Sequence, residues 1–230
     1  MMLRATVVND YQNVHLTARD VFNPGTAAHL SLIHPVLFAR TSITRRNQLQ
    51  RPGFPSVELV RTVVYRGLPH VDYETTQNRR CLEQAEVWRN DGALVELRDL
   101  KYPIKYGADG RPVQDIYGKK VWTGAKPEEK GIDVLCALAC VREAGRTDVD
   151  LVVLASRDTD LRPVLDEVHD MHVSDPRKGK IETVSWYDSQ ARIENRYAGG
   201  SLRPTGPRRI WNTNLGREQF EASRDRGDYT

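Results

Sequence analysis

The chain has 230 residues, of which 39% are hydrophobic and 28% are charged. This length and apolar content suit one α/β domain with its own core and room for an appendage. The net charge of +3 permits nucleic acid binding without requiring it. Three cysteines do not make a disulfide framework, and no run approaches the roughly 20 apolar residues of a membrane span. We therefore expect a cytoplasmic protein that does not enter a membrane.

Short apolar runs alternate with stretches of helical spacing along the chain. The runs predict strands at 3–8, 57–66, 93–97, 151–155 and 181–187. Helices or turns are predicted at 14–26, 29–49, 74–90, 126–144 and 161–169. Alternation of this kind is typical of an α/β fold with a mostly parallel sheet.

Acidic residues follow two of the predicted strands directly. Asp158 and Asp160 come after Ser156 at the end of the fourth strand, and Asp10 ends the first strand, with Asn13 three residues later. The carboxyl ends of parallel strands meet at one edge of the sheet, where ligands bind in open α/β folds. Taken singly, each acid could equally be a helix cap.

Asp133 lies near the N-terminal end of the predicted helix 126–144. If that end leans over the same edge, Asp133 joins the three acids at the strand ends. Four converging carboxylates repel one another and raise each other's pKa, and a hard divalent cation would remove the repulsion. Ligands that are all oxygen atoms favour Mg²⁺ or Mn²⁺ over zinc. A metal held in this way can promote phosphodiester hydrolysis.

Residues 98–124 are rich in glycine and other turn residues and predict loops and a hairpin. Lysines, including Lys119 and Lys120, alternate there with aromatic residues such as Tyr117 and Trp122. This pattern suits a surface for single-stranded nucleic acid. The alternative is a solvated hairpin with its aromatic side chains packed beneath it.

The composition changes near residue 190 to Arg, Gly, Pro and Ser. We predict one domain over 1–190 and a C-terminal extension over 191–230 that is partly docked on the domain.

Three motifs together resemble the NYN domain family of the PIN-like nucleases, bacterial type. They are Asp10-x-x-Asn13, Glu129-Lys130-Gly131-Ile132-Asp133 and Ser156-x-Asp158-x-Asp160, and they match in order and spacing over roughly residues 3–187. The resemblance implies a three-layer α/β/α fold and metal-dependent ribonuclease activity. Two positions differ from the family pattern. Arg157 stands where the family often has glycine, and Leu161 stands where it commonly has phenylalanine.

The resemblance also implies roles for individual residues. Mg²⁺ or Mn²⁺ would be held by Asp10, Asp133, Asp158 and Asp160. Asn13 would orient a water molecule or a substrate phosphate, and Ser156 would support its loop. Contacts with the substrate are expected from Ser156, Arg157, Lys119, Lys120 and Lys130.

The leading hypothesis is therefore an endoribonuclease that leaves 5′-phosphate and 3′-hydroxyl ends. The alternative is a non-catalytic RNA-binding adaptor with the same fold, although an adaptor has no need for all four acids. A haloacid-dehalogenase-like phosphatase is disfavoured because Asp158-Thr159-Asp160 comes late and Arg162 stands where that chemistry wants a hydroxyl residue. A dinucleotide-binding enzyme is disfavoured because no G-x-G-x-x-G follows a strand. RNA is the expected partner, and a homodimer is left open.

Overall fold

The structure is a computed structural model that describes residues 2–229. Its strands are β1 (Leu3–Asp10), β2 (Val57–Leu68), β3 (Ala93–Asp99), β4 (Leu151–Ala155), β5 (Lys180–Trp186) and β6 (Asn212–Leu215). They form one sheet in the order β3-β2-β1-β4-β5-β6. Every neighbouring pair is parallel, so the prediction of a mostly parallel sheet is confirmed.

Helices cover both faces of this sheet. They are α1 (Tyr11–Phe22), α2 (Pro35–Leu49), α3 (Thr75–Asn90), α4 (Ile132–Ala144), α5 (Arg162–Ser174), α6 (Ser189–Ile193) and α7 (Arg217–Ser223). Two short 3-10 helices, Ala28–Ser31 and Thr159–Leu161, complete the set. One core cluster joins α1, α2 and α7 to the sheet, and another joins α4 and α5 to its opposite face. The fold is therefore the expected three-layer α/β/α sandwich.

The central strands are apolar because both of their faces are covered. In β1, Val7 lies in the core beneath α1 and α2, whereas Val8 lies in the core beneath α4. All five residues of β4 are buried. Strands with two covered faces read as continuous apolar runs rather than as an alternating pattern, which explains why β4 could be predicted with its observed bounds.

The order of the sheet reverses between β1 and β4, which are direct neighbours. The chain leaves β1 into α1 on one face, and it leaves β4 into the 3-10 helix and α5 on the other. A crevice forms at the carboxyl ends of two strands that separate in this way, and it is the usual ligand site of open α/β sheets.

The predicted helix over 126–144 begins later than expected, at Ile132. Gly131 precedes it with φ of +80°, a left-handed conformation that favours glycine. Residues 126–131 are irregular instead, and Glu128 forms an antiparallel bridge with Lys101 at the base of the predicted hairpin. The hairpin itself is present, because further antiparallel bridges pair Ile104 with Trp122 and Gln114 with Lys120.

The C-terminal residues add to the main sheet. β6 pairs in parallel with β5, and α7 packs against α2. The Phe220 ring stacks on Phe22 with 5.0 Å between the ring centroids. Over residues 2–229, no helix combines the length and the apolar character that a membrane crossing requires.

Candidate active site

A cleft of about 650 Å³ opens beyond the carboxyl ends of β1 and β4. Its cationic lining residues are Lys130 and Arg157. Its acidic lining residues are Asp10, Asp20, Glu129, Asp133, Asp158 and Asp160. The cleft is therefore strongly acidic, although the chain as a whole carries a net positive charge. The four acids predicted to converge do line one site.

Asp10 lies at the base of the cleft and is only 6% exposed. Its Oδ2 accepts a hydrogen bond from Ser156 Oγ at 2.8 Å, and its Oδ1 accepts one from the Asn13 backbone N–H at 3.2 Å, which caps α1. Burial, with a smaller contribution from the charges of Asp158 and Asp133, raises the pKa of Asp10 to about 6 against the effect of these two bonds. Asp10 therefore interacts electrostatically with two neighbouring carboxylates.

The loop after β4 is held by its own hydrogen bonds. The Asp158 backbone N–H donates to Ser156 Oγ at 3.1 Å, and the Asp160 backbone N–H donates to Asp158 Oδ1 at 3.0 Å. The Arg157 backbone N–H donates to Asn13 Oδ1 at 2.9 Å. The side-chain oxygen of Asn13 thus supports this loop. Asn13 also lines the cleft, and its predicted role towards a water molecule or a phosphate stays a prediction.

Three of the acids stand at the N-terminal ends of helices. Asp10 caps α1, Asp158 caps the 3-10 helix Thr159–Leu161, and Asp133 lies in the first turn of α4. The positive end of a helix dipole stabilises a negative charge. The three helix ends therefore offset part of the electrostatic repulsion between the carboxylates that share the cleft.

Glu129 belongs to the site and was not among the predicted site residues. Its Oε1 accepts a hydrogen bond from the Gly67 backbone N–H at 2.6 Å. Burial, with a smaller contribution from the charge of Asp10, raises the pKa of Glu129 to about 7. A Cβ atom on Gly67 would lie 2.5 Å from Glu129 Oε1, so the glycine makes room for this carboxylate. The sequence signal was a glycine near the end of a predicted strand, which often marks a close approach.

The predicted substrate-binding residues are placed in three different ways. Arg157 and Lys130 line the cleft, but Arg157 Nε donates to Gly200 O at 3.1 Å and Lys130 pairs with Glu128 at 2.9 Å. Ser156 is buried and bonds within the protein, so it supports the loop and makes no surface for a substrate. Lys119 and Lys120 do not line the cleft, which corrects their predicted place at the site.

Both lysines belong to the hairpin instead. Lys119 forms an ion pair with Asp72, and the Lys120 carbonyl oxygen accepts a hydrogen bond from the Tyr73 hydroxyl at 2.8 Å. Tyr102 and Trp122 pack together beneath, with 5.2 Å between their ring centroids. This packing matches the alternative interpretation of the hairpin for these two rings, whereas Tyr117 is exposed.

Across residues 2–229, no three His, Cys, Asp or Glu side chains are arranged to enclose a metal. The four predicted ligands share a cleft but do not form a closed ligand set. Mg²⁺ is often bound by one or two carboxylates, with water and substrate phosphates completing its shell. An open set of oxygen ligands such as this one fits that mode of binding.

Comparisons with known proteins give the chain one structural likeness. No family model and no curated protein matches it. A crystal structure of a protein of unknown function from Vibrio parahaemolyticus is similar over 94% of this chain and 95% of that chain. The sequence identity is 17% and the TM-score is 0.46. This likeness carries no argument about function, which therefore has to come from the site.

Proposed function

We propose that this protein is a metal-dependent ribonuclease that hydrolyses RNA phosphodiester bonds in the acidic cleft between β1 and β4. The observation that supports it best is the meeting of Asp10, Asp133 and Asp158 at three helix ends on the carboxyl edge of the sheet. This arrangement agrees with the resemblance of the motifs to the NYN family.

In this proposal the acids have two tasks. Asp10, Asp133 and Asp158, with Asp160 at the rim, would hold Mg²⁺ or Mn²⁺. The ion, when bound, would supply positive charge that neutralises the carboxylates and polarises the scissile phosphate. Glu129 would accept the proton of the attacking water, because it lines the cleft and burial makes it more basic by raising its pKa above that of an ordinary carboxyl. The water oxygen would attack phosphorus and lose its proton to Glu129, the bond to the 3′-oxygen would break, and that oxygen would take up a proton from solvent, which leaves a 5′-phosphate and a 3′-hydroxyl.

Dinucleotide binding is an alternative function, because the strand order is that of the classical dinucleotide-binding sheet. In those proteins the first turn leaves the N–H groups of the following helix open to a pyrophosphate. Here the carboxylate of Asp10 already accepts the Asn13 N–H at that helix end. A negative charge in this place repels a pyrophosphate, so the site favours the nuclease.

A non-catalytic RNA-binding adaptor gains support from the capping roles of Asp10 and Asp158, because a cap explains an acid without any chemistry. Asp133 and Glu129 distinguish the two functions. Gly131 is the N-cap of α4, so Asp133 is not needed as a cap, and Glu129 lies outside any helix. Both still line the cleft, which favours the nuclease.

The test is cleavage of end-labelled single-stranded RNA with Mg²⁺ or Mn²⁺. We compare the wild type with Asp133→Asn, which removes a charge without removing a cap, and with Asp109→Asn on the exposed hairpin as the matched control. The proposal expects cleavage by the wild type and the control, loss of cleavage with EDTA, and loss in Asp133→Asn. RNA binding without cleavage under either metal would replace the nuclease by the adaptor.

A further inference from the structure

A second cavity of about 450 Å³ adjoins the acidic cleft. The two cavities share Gln12, Leu16 and Glu129 in their walls. We call the second cavity the Arg66 groove, because Arg66 of β2 and Arg80 of α3 line it. The groove therefore brings guanidinium groups next to a site whose lining is mainly carboxylate.

Arg66 is held rigidly in this groove. Its Nη1 donates to Gln84 Oε1, and its guanidinium carbon lies 4.7 Å from the ring centroid of Tyr11 and 5.2 Å from that of Trp88. Stacking on aromatic faces fixes a guanidinium while leaving its N–H groups available. A guanidinium has five N–H donors, so one bond to Gln84 leaves most of them for another acceptor.

In the described chain neither carboxylate of the Arg66 groove forms an ion pair with its arginines, although the charge of Arg66 lowers the pKa of Glu129. Glu74 accepts a hydrogen bond from the Tyr102 hydroxyl, and Glu129 accepts one from the Gly67 N–H. The ion pairs found within residues 2–229 include Arg79 with Glu83 but none of Arg66 or Arg80. Two arginines with no acidic partner in the described chain thus line one cavity, which is a suitable arrangement for an anion.

The register of the sheet places the backbone of Arg66 close to that of Asp10. Asp10 of β1 is paired with Tyr65 of β2, and Arg66 is the next residue. With strands about 4.8 Å apart and a rise of about 3.3 Å per residue, the Cα atoms of Asp10 and Arg66 are about 6 Å apart. The two cavities also share Glu129 in their walls, so one extended molecule can occupy both.

We propose that the Arg66 groove binds the phosphate that neighbours the scissile phosphate of an RNA strand. The substrate is then a strand with at least two phosphodiester groups, and not a mononucleotide or a small phosphate ester. Arg66 and Arg80 are positioning residues in this scheme, since they hold the strand while the cleft carries out the hydrolysis. The inference rests on the proposed function.

The test measures binding rather than cleavage. The probe is a fluorescein-labelled 12-nucleotide RNA, and its anisotropy is followed over a series of KCl concentrations with Asp158→Asn as the parent protein. Each phosphate contact with a single strand contributes about 0.7 to the slope of log K against log salt. We expect Arg66→Gln and Arg80→Gln each to weaken binding and to reduce that slope by about 0.7.

Arg79→Gln is the matched control, because Arg79 precedes Arg80 on α3, pairs with Glu83 and does not line the groove. We expect it to keep the parent slope. Arg80→Gln changes an exposed side chain and keeps the test decisive if Arg66→Gln does not fold. An unchanged slope in the Arg66 and Arg80 variants would overturn the inference and leave the nuclease proposal standing. Failure of the parent protein to bind RNA at all would also overturn the inference, and cleavage by the wild type decides the nuclease proposal separately.

Discussion

The Ser156 hydroxyl joins the ends of two strands, since it donates to Asp10 Oδ2 at 2.8 Å across 146 positions of the chain. The same oxygen accepts the backbone N–H of Asp158 at 3.1 Å. One buried hydroxyl therefore sets the position of Asp10 relative to the loop that carries Asp158. Because it donates to the carboxylate, it also lowers the pKa of Asp10 against the effect of burial.

Ser156→Ala should move the pH profile of activity. Loss of the donor leaves the pKa of Asp10 above its value of about 6, so the acidic limb of kcat/KM should shift to higher pH at constant Mg²⁺. The free energy of unfolding should fall by about 1–3 kcal/mol, because a buried acceptor loses its partner. Rates from pH 5 to 9 and denaturant titrations give both values. Ser185→Ala, a buried serine of β5, is the control, and an unmoved limb would contradict the expectation.

Asp10→Asn should stabilise the metal-free protein at neutral pH. The pKa of Asp10 is about 6 in the folded chain and 3.8 in the reference state. Its protonated form therefore favours folding below pH 3.8, and this contribution is lost as the pH rises through 6. The loss is about 3 kcal/mol. Asparagine is neutral and can still cap α1, so the variant should lack this part of the pH dependence.

Denaturant unfolding of both proteins in EDTA from pH 4 to 8 measures the difference. Glu129 contributes its own loss of stability near pH 7, and the charge of Asp10 raises the pKa of Glu129, so the comparison measures Asp10 together with its effect on Glu129. Equal slopes of unfolding free energy against pH in the two proteins would show that Asp10 is not a destabilised carboxylate.

Gly67→Ala should displace Glu129 from the cleft. The new Cβ would lie 2.5 Å from Glu129 Oε1 and 2.8 Å from its Cγ, and it would also meet Leu100. Overpacking of this kind costs about 1–3 kcal/mol of stability, and ribonuclease activity should fall as Glu129 moves. Gly145→Ala is the control, because its Cβ has no neighbour nearer than 3.4 Å. A Gly67 variant with wild-type stability and activity would show that the position of Glu129 does not matter for activity.

Arg157→Ala should loosen the wall of the cleft that follows α6. Arg157 Nε donates to Gly200 O at 3.1 Å, and its guanidinium carbon lies 5.0 Å from the ring centroid of Tyr197. Without these contacts, we expect amide hydrogen exchange over residues 196–202 to accelerate several-fold. Arg209→Ala changes an exposed arginine of the same C-terminal region and should leave that exchange as it is. Unaltered exchange in Arg157→Ala would show that the segment is held by other contacts.

The sheet and part of the site could be predicted because they depend on local sequence. A strand buried on both faces, such as β4, has to be apolar throughout. Acids that directly follow parallel strands must meet at one edge, which places Asp10 and Asp158 without any knowledge of distant contacts. The same reasoning brought Asp133 to the edge only on condition that α4 leaned over it, and the structure places Asp133 in the lining of the cleft.

The features that were missed depend on distant contacts. Glu129 reaches the cleft because residues before α4 are irregular and because Gly67, 62 positions away, receives its carboxylate. β6 was not predicted as a strand because Asn212, Thr213 and Asn214 are polar, and only pairing with β5 makes them extended. Lys119 was predicted at the site from composition, and its pairing with Asp72 arises from the fold of the hairpin.

The central claim is that the acidic cleft holds a divalent cation, and Mn²⁺ binding tests it directly. Free Mn²⁺ gives a strong electron paramagnetic resonance signal that decreases when the ion binds protein. Titration of the wild type should show a site that Mg²⁺ competes for, and Asp133→Asn should weaken it while Asp109→Asn should not. If wild type and Asp133→Asn leave the same free Mn²⁺ signal at every concentration, the cleft is not a metal site and the account is wrong.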